Sequence, residues 1–417
     1  MRRPLLACAL VVLCGCTDSG VRTAAVVTTS RPTTTSATTT SVPDTEPDST
    51  TASTDTTPDT TPDTDSPPAR PTGGRGPGGP PQPSVAWPPY EPLPGVSGFA
   101  ALTGLPVDDA TAARPIVAVK VDNHRLARGQ WGLDAADVVF EENVESLTRF
   151  IALFQSRQPA EVGPVRSART TDVHVLSAMN RPVLVWSGGN SGVTALMVGA
   201  DTAGVLVNLS ALAKGRGCYR REASRPAPHN LIAAIGCVRG HEAAAGPARP
   251  LWGFEPLPSP APAPTTAPSS TTPDTGTLPA PAPPTTEAFT TAAAAGAPEG
   301  AFDVPMDGVA VQWVWDASLG RYLRWTDGAP HRTVGGVQLS ATTVVVMYCR
   351  HVPSPVDRRT PEPQTTGSGR VAIHAGGKVI LGTWSRANDR SPWVFTDDAG
   401  VRILLPRGTT FVELARA

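Results

Sequence analysis

Val162-Gly-Pro-Val-Arg-Ser-Ala-Arg169 is the stretch around which the predicted fold is organised. Gly163-Pro164 predicts a turn, and apolar residues at helical spacing over 168–179 predict a helix directly after it. Arg166 and Arg169 then precede or open this helix, where the first backbone N–H groups are unpaired and the helix dipole is positive. Because arginine holds phosphate or carboxylate through two parallel hydrogen bonds, the stretch predicts an anion-binding site.

Strand and helix patterns alternate on both sides of this stretch. Residues 116–121 form an apolar run that contains one lysine, a pattern typical of a buried strand. A helix is predicted for His229–Val238, after a proline-rich turn. Further short strands are predicted for 138–140, 150–154, 183–186 and 204–209. The alternation favours a mixed α/β domain over residues 91–255.

The last part of the chain, residues 301–417, has a strand pattern throughout. Valine and tryptophan at 309, 311, 313 and 315 recur with period two, and Gly376-Gly377 predicts a tight hairpin. About eight short strands without a helix predict a small barrel or sandwich. Five of the nine tryptophans fall here, where we expect them to pack in the core. The fold class expected for the whole chain is therefore α+β.

Two stretches of the 417 residues cannot bury a core. Residues 17–90 are rich in threonine and proline, and residues 256–300 in proline, threonine and alanine. Such compositions bury too little apolar surface to offset the entropy lost on ordering. We therefore expect a disordered tether at 17–90 and a linker or extended surface loop at 256–300. Threonines of the tether could carry O-linked sugars or remain unmodified.

Residues 1–16 have the pattern of a secretory signal. Arg2 and Arg3 form a basic start, and the apolar run Leu5–Leu13 is too short to cross a bilayer. The run ends in Leu13-Cys-Gly-Cys16, which resembles the lipobox of bacterial lipoproteins. That resemblance implies a lipid on the Cys16 thiol and a location on the extracytoplasmic face of the bacterial membrane. A plain secretory signal is the alternative.

Three cysteines remain after the signal. Cys218 and Cys237 are close in sequence and could form a disulfide, which would stabilise the fold by roughly 3 kcal/mol. Cys349 would then be a buried free thiol; three unpaired thiols are the alternative. His241 is not followed by a second histidine at helical spacing, and no Cys-x-x-Cys pair occurs, so no metal site is expected. No cofactor is expected either, because phosphate-loop and dinucleotide motifs are missing.

Charge and short motifs narrow the class of function. The formal net charge is −1, which gives no basic field for nucleic acid. The chain has 32 arginines against three lysines, a bias that genome composition explains as well as anion recognition does. Gly189-Asn-Ser-Gly192 lacks the Gly-x-Ser-x-Gly spacing of a nucleophile elbow, which disfavours a serine hydrolase.

Polar residues of the first domain are predicted to gather at the carboxyl ends of its strands, where α/β folds often place sites. Candidates for ligand binding are Arg149, Arg166, Ser167, Arg169, Asn123 and Asn230. Candidates for acid–base roles are Asp122, His124, Glu141, Glu145 and His229. The alternative is an internal salt-bridge web in which Glu141 or Glu145 pairs with Arg149 and Arg166.

Motifs in order along the chain resemble the YerB-type lipoprotein family, a two-part family of bacterial envelope proteins. They include Leu102-Thr-Gly-Leu-Pro106, residues 114–124, Gly163–Arg169, Pro228-His-Asn-Leu231, Arg321-Tyr322 and Leu404–Gly408. The resemblance covers about residues 100–255 and 300–416 and implies envelope anchoring and two domains, without a substrate or catalytic residues. Trp186-Ser187 departs from the polar residue usual before the paired glycines, which weakens a reactive turn at Ser187–Ser191.

Three hypotheses about function follow. The favoured one is a lipid-anchored module that binds an anionic envelope ligand, such as a wall polymer or a peptidoglycan fragment, through Arg149, Arg166 and Arg169. The second is a hydrolase or transferase that uses a carboxylate and a histidine beside the same arginines. The third is a scaffold whose β-rich domain contacts another envelope protein. Both site hypotheses require Arg166 to lie near His229.

Overall fold

The computed structural model describes residues 97–257, 289–291 and 295–417, which belong to one compact unit, Pro80–Ala417. The predicted signal at 1–16, Cys16 and the tether at 17–90 lie outside the described residues, as does most of the predicted linker at 256–300. In the described part of the chain, no helix combines the length and apolar character that crossing a membrane requires.

The first segment mixes helices and strands. Its α-helices are α1 (Asp109–Ala112), α2 (Thr170–Leu176), α3 (Ser191–Thr202) and α4 (Ile235–Arg239). Its strands are β1 (Val117–Asp122), β2 (Val138–Val144), β3 (Leu147–Phe154), β4 (Glu161–Val162), β5 (Val183–Trp186), β6 (Val207–Ser210), β7 (Tyr219–Arg221) and β8 (Leu231–Ala234).

The second segment is all-β over residues 301–417, which confirms the α+β class. Two short strands precede these residues: β9 (Phe289–Thr291) and β10 (Ala297–Pro298). The others are β11 (Ala301–Met306), β12 (Val309–Asp316), β13 (Arg321–Thr326), β14 (Ala329–Pro330), β15 (Ser340–Ala341), β16 (Thr343–Cys349), β17 (His351–Pro353), β18 (Pro361–Pro363), β19 (Gly367–Ala375), β20 (Lys378–Arg386), β21 (Val394–Asp397), β22 (Arg402–Leu404) and β23 (Thr410–Arg416).

One large sheet contains strands from both segments. Its order is β6-β5-β1-β3-β2-β23-β16-β19-β20-β21-β22-β9, with β10 added beside β20. The segments join where β2 pairs with β23 in parallel, with Val138 opposite Thr410 and Glu141 opposite Glu413. Strands that the sequence assigned to a separate barrel or sandwich thus extend the sheet of the first segment, and they cover the edge of β2 that would otherwise be unpaired.

The two faces of this sheet bury different cores, because successive strand side chains point to opposite faces. Ile116 and Ala118 pack on one face with apolar residues of α2 and α3 and with Trp384 and Trp393. Val117 and Val119 pack on the other face, in a cluster that includes Trp313 of the five-stranded sheet β11–β15. Both segments therefore share both cores.

The helix predicted for His229–Val238 is wrong over its first half. Leu231–Ala234 is strand β8, and only Ile235–Arg239 is helical. Strand β8 lies between β4 and β7, which supply hydrogen bonds on both of its edges. Tertiary pairing has overridden the local helical pattern at this position.

Candidate functional site

The stretch Val162–Arg169 lies across the carboxyl end of β1. The backbone N–H of Asp122, the last residue of β1, donates to Pro164 O at 2.9 Å. The N–H of Arg166 donates to Lys120 O at 2.9 Å, and Arg166 O accepts from Ser187 N at 3.0 Å. Ser187 directly follows β5, which is parallel to β1, so Arg166 is fixed between the ends of two parallel strands.

Asp122 is the centre of the site. Its Oδ2 atom is 2.7 Å from Nδ1 of His229 and 3.3 Å from Nε of Arg166. Its Oδ1 atom accepts from the backbone N–H of His124 at 3.0 Å. Burial alone would raise the pKa of Asp122, but the hydrogen bond from His229 and the charge of Arg166 outweigh it and lower the pKa. Asp122 is therefore a buried carboxylate near neutral pH.

Two histidines lie side by side next to this carboxylate. The rings of His124 and His229 stack with centroids 4.3 Å apart and planes 15° apart. His124 caps a short 3-10 helix, where its Nδ1 atom accepts from Leu126 N at 3.2 Å. Burial, and next the adjacent His229, lower the pKa of His124, so this ring is neutral at pH 7.

A second group lies around Ser167. Arg149 donates from NH1 to Ser167 O at 2.9 Å, and NH2 of Arg169 is 3.1 Å from Oε1 of Glu145. Burial, followed by the charges of Arg169 and Arg166, lowers the pKa of Arg149 to about 9. The three guanidinium groups are therefore close enough to repel one another, and a bound anion would relieve that repulsion.

A buried ion cluster adjoins the arginines, and the sequence analysis missed it. Lys120 Nζ pairs with Glu142 Oε1 and lies 2.7 Å from Oδ1 of Asp172; all three side chains are enclosed. Asp172 also accepts from the backbone N–H of Arg169 at 2.7 Å and so caps α2. The sequence signal was Lys120 itself, a charge inside an apolar strand pattern, which needs a buried partner.

Glu141 and Asn123 are buried, and their side chains bond to other residues of the protein. Glu141 is completely buried, with Oε2 at 2.6 Å from NH2 of Arg324. Asn123 donates from Nδ2 to Thr148 Oγ1 at 2.7 Å and to Glu141 Oε1 at 3.2 Å. Glu141 contacts Arg324 whereas its neighbour Glu142 contacts Lys120, because the side chains of Glu141 and Glu142 point to opposite faces of β2.

Asn230 braces the turn that carries His229. Its Oδ1 atom accepts from Arg221 NH1 at 2.8 Å, and its Nδ2 atom donates to Glu222 O at 3.2 Å and Arg225 O at 3.1 Å. These bonds satisfy the side chain within the protein. Asn230 therefore orients the loop instead of presenting a free polar group to a ligand.

Cys218 and Cys237, the pair suggested by the sequence, form a disulfide with Cα atoms 5.3 Å apart. His241 lies close to both sulfurs, so the ligand atoms of these three residues have the spacing of a metal site. Its cysteines share a covalent bond and offer no thiolate to a metal ion. Cys349 is buried and unpaired, and burial raises the pKa of its thiol to about 12.

Comparison with protein families gives two matches. The N-terminal domain described as "Protein of unknown function (DUF3048)" matches residues 102–246. The C-terminal domain of the same description matches residues 302–412. The matched ranges cover most of both segments that form the large sheet, and they include all the candidate residues that the structure describes.

Two individual proteins are similar to this chain. The Bacillus subtilis (strain 168) protein that carries the name "Putative lipoprotein YerB" is 37% identical over 148 residues, which are 34% of this chain and 41% of that protein. The match thus spans about two fifths of the relative's length. The crystal structure of the Bacillus subtilis YerB protein matches with a TM-score of 0.58 at 23% identity, covering 76% of this chain and 95% of that one. This second likeness shows a shared fold.

Proposed function

The chain belongs to the DUF3048 family of proteins of unknown function, and we propose that it is a lipid-anchored envelope protein that binds an anionic ligand at Arg149, Arg166 and Arg169. The anchor is proposed from the lipobox-like residues 13–16 and from the lipoprotein name of the Bacillus relative. The ligand class is proposed from the charges around Ser167. A wall polymer or a peptidoglycan fragment has the required negative charge.

Changing Cys16 to alanine is expected to remove the anchor. In a bacterial host fed an alkyne-tagged fatty acid, the wild-type chain should become labelled and sediment with membranes, whereas Cys16→Ala should do neither. Two acyl chains anchor stably, since each buried methylene contributes about 0.8 kcal/mol. Cys14→Ala, two residues away, is the matched control and should keep label and anchor. Labelling of Cys16→Ala at the wild-type level would overturn the anchor.

The surroundings of Arg149 are the observation on which the proposed anion site rests. Its guanidinium donates to a carbonyl, and none of the described carboxylates lies within ion-pair distance of it. Its Nε atom is buried and has no hydrogen-bond partner in the described part of the chain. A buried cation with no carboxylate at ion-pair distance, next to two further arginines, is costly unless an anion joins it. The ligand proposed here would supply that charge.

The other two arginines are only partly satisfied by the protein. Arg166 shares the single carboxylate of Asp122 with His229, and its side chain keeps 19% of its surface exposed. Arg169 keeps 11% exposed, and its partner Glu145 also accepts a hydrogen bond from Thr360. Both guanidinium groups therefore have donors left for a ligand, and phosphate or carboxylate fits their planar geometry.

Changing Arg149 to glutamine is expected to weaken anion binding about 10- to 100-fold, the effect of losing one charged hydrogen bond of about 1.5–3 kcal/mol. Titration calorimetry on the full-length chain in detergent would use two probes, a synthetic glycerol phosphate oligomer and a peptidoglycan stem peptide. Arg370→Gln is the control, because Arg370 is exposed and pairs with Asp398. Equal affinities for wild type and Arg149→Gln, with lower stability of the variant, would make the arginine structural.

A further inference from the structure

We propose that His229 is the general base of a phosphodiester hydrolase, and that His124 and Arg166 hold the anionic oxygens of its substrate. The juxtaposition behind this is two stacked imidazoles and a guanidinium around the carboxylate of Asp122. The inference rests on the proposed anion site and adds a reaction to it. It also assigns chemistry to the two histidines, which the proposed anion site does not use.

The carboxylate fixes the proton position on His229. Nδ1 of His229 donates to Oδ2 of Asp122 at 2.7 Å, since an ionised carboxylate can only accept. In the neutral ring the lone pair then lies on Nε2, the position from which a histidine takes a proton in Asp–His pairs. That Nε2 atom has no hydrogen-bond partner among the described residues and is open to solvent. His229 thus presents an oriented base.

The backbone fixes the opposite arrangement on His124. Nδ1 of His124 accepts from the N–H of Leu126 at 3.2 Å, so the proton of the neutral ring is on Nε2. This Nε2 is likewise free of described partners and reaches solvent. Two rings with centroids 4.3 Å apart therefore present one proton acceptor and one N–H donor.

Arg166 selects the substrate class. Nε of Arg166 and Nδ1 of His229 both approach Oδ2 of Asp122, so an anion bound by the guanidinium would lie close to the His229 ring. In a phosphodiester the negative oxygens are bonded to the reacting atom itself. A carboxylate-bearing peptide has its charge apart from the bond to be cut. Donors aimed at oxygens on which charge develops are the largest stabilising contribution in many such reactions.

The reaction is a hydrolysis in which atoms and charges balance. Nε2 of His229 takes a proton from water as the water oxygen bonds to phosphorus, and the bond from phosphorus to the leaving oxygen breaks. His124 and Arg166 donate hydrogen bonds to the non-bridging oxygens throughout. His229 then releases its proton to solvent, and the leaving oxygen takes one from solvent. The products are a phosphate monoester and an alcohol, and no electrons are transferred.

The test follows hydrolysis of bis(4-nitrophenyl) phosphate by the full-length chain in detergent. Because this leaving group departs as an anion, the probe isolates the role of the base. His229→Gln is expected to lower kcat about 10²- to 10⁴-fold, the usual contribution of a general base. His124→Gln is expected to lower kcat/KM as well. His241→Gln, an exposed histidine outside the cluster, should match wild type.

Three outcomes would overturn the inference. If wild type turns over the probe no faster than His229→Gln does, His229 is not the general base. If the chain hydrolyses 4-nitrophenyl acetate instead of the phosphodiester probe, its substrate is not a phosphodiester. Equal losses of kcat and of folded protein in His229→Gln would make the histidine structural. Calorimetry with the glycerol phosphate oligomer separates the two proposals. If wild type binds the oligomer without turnover, only the hydrolase fails; if it neither binds nor turns over, the anion site fails too.

Discussion

Replacing Arg324 with methionine is expected to lower the free energy of unfolding by about 3–5 kcal/mol, the usual effect of removing one partner from a buried ion pair. Arg324 is completely buried between two carboxylates. Its NH2 atom is 2.6 Å from Oε2 of Glu141, and its NH1 atom is 2.8 Å from Oε1 of Glu413. Without the guanidinium, both acids would remain enclosed and uncompensated.

The position of this triad makes the effect large. Glu141 lies in β2 and Glu413 in β23, the two strands that join the segments. The guanidinium also lies over the rings of Trp313 and Phe411, at 5.4 and 5.0 Å from their centroids. Burial, and then the charge of Glu141, raises the pKa of Glu413 well above its usual value. The single positive charge of Arg324 therefore only partly compensates the two buried acids.

Urea denaturation of the full-length chain would measure this loss. Arg370→Met, at an exposed ion pair, is the control and should cost no more than about 1 kcal/mol. The triple variant Arg324→Met/Glu141→Gln/Glu413→Gln should recover much of the stability, because it removes the buried charges together. A loss as small as that of the control would show that the triad does not hold the two segments together.

Replacing Lys120 with methionine is expected to destabilise the fold by a similar amount, about 3–5 kcal/mol at neutral pH. Lys120 neutralises Glu142 and Asp172 in an enclosed site. Burial raises the pKa of Asp172 to about 6, with Lys120 lowering it and Glu142 raising it. Methionine fills a similar volume, so the expected loss comes mainly from charge.

The effect of Lys120→Met should depend on pH. The pKa of Asp172 in the folded wild type is about 6, above its reference value of 3.8. The folded state therefore binds more protons than the unfolded state across this window, and this residue's contribution to stability falls as pH rises through it. Because Lys120 lowers the pKa of Asp172, removing its ammonium group would raise that pKa and extend this pH range upward. The stability difference between wild type and variant should thus be small near pH 4 and grow toward pH 8.

Urea denaturation at a series of pH values would test this, with Lys214→Met as the control. Lys214 is 68% exposed and pairs with Asp201 on the surface. Its replacement should give a small loss that is nearly independent of pH across the same range. A Lys120→Met loss that is constant with pH would contradict a role for Asp172 in it.

Local elements of the fold could be predicted because their signals are local. Strand β5 runs from Val183 to Trp186, the predicted range, and β1 is shifted by one residue from the predicted 116–121. Period and turn residues determine such elements. The pairing of β2 with β23 has no local signal, since the two strands are far apart in sequence and neither pattern names its partner. It could not be predicted from one sequence.

The residue types of the site could be predicted from the sequence, but which of these residues lie together could be predicted less well. Asp122, His124 and His229 were all candidates, yet the bond between Asp122 and His229 joins residues 107 positions apart. That Arg166 lies close to His229, as both site hypotheses required, follows from their common contact with Asp122. Neither spacing nor composition indicates such a contact, because strand order decides it.

The parallel joint between β2 and β23 has a consequence for biogenesis. Residues 138–141 meet residues 410–413, so the native topology has high contact order, and folding is slow when loop closure must precede pairing. Until this pairing forms, β2 has an open edge of unpaired backbone groups, which is a template for aggregation. The first segment therefore completes its sheet only once residues 410–413 are available to pair with β2.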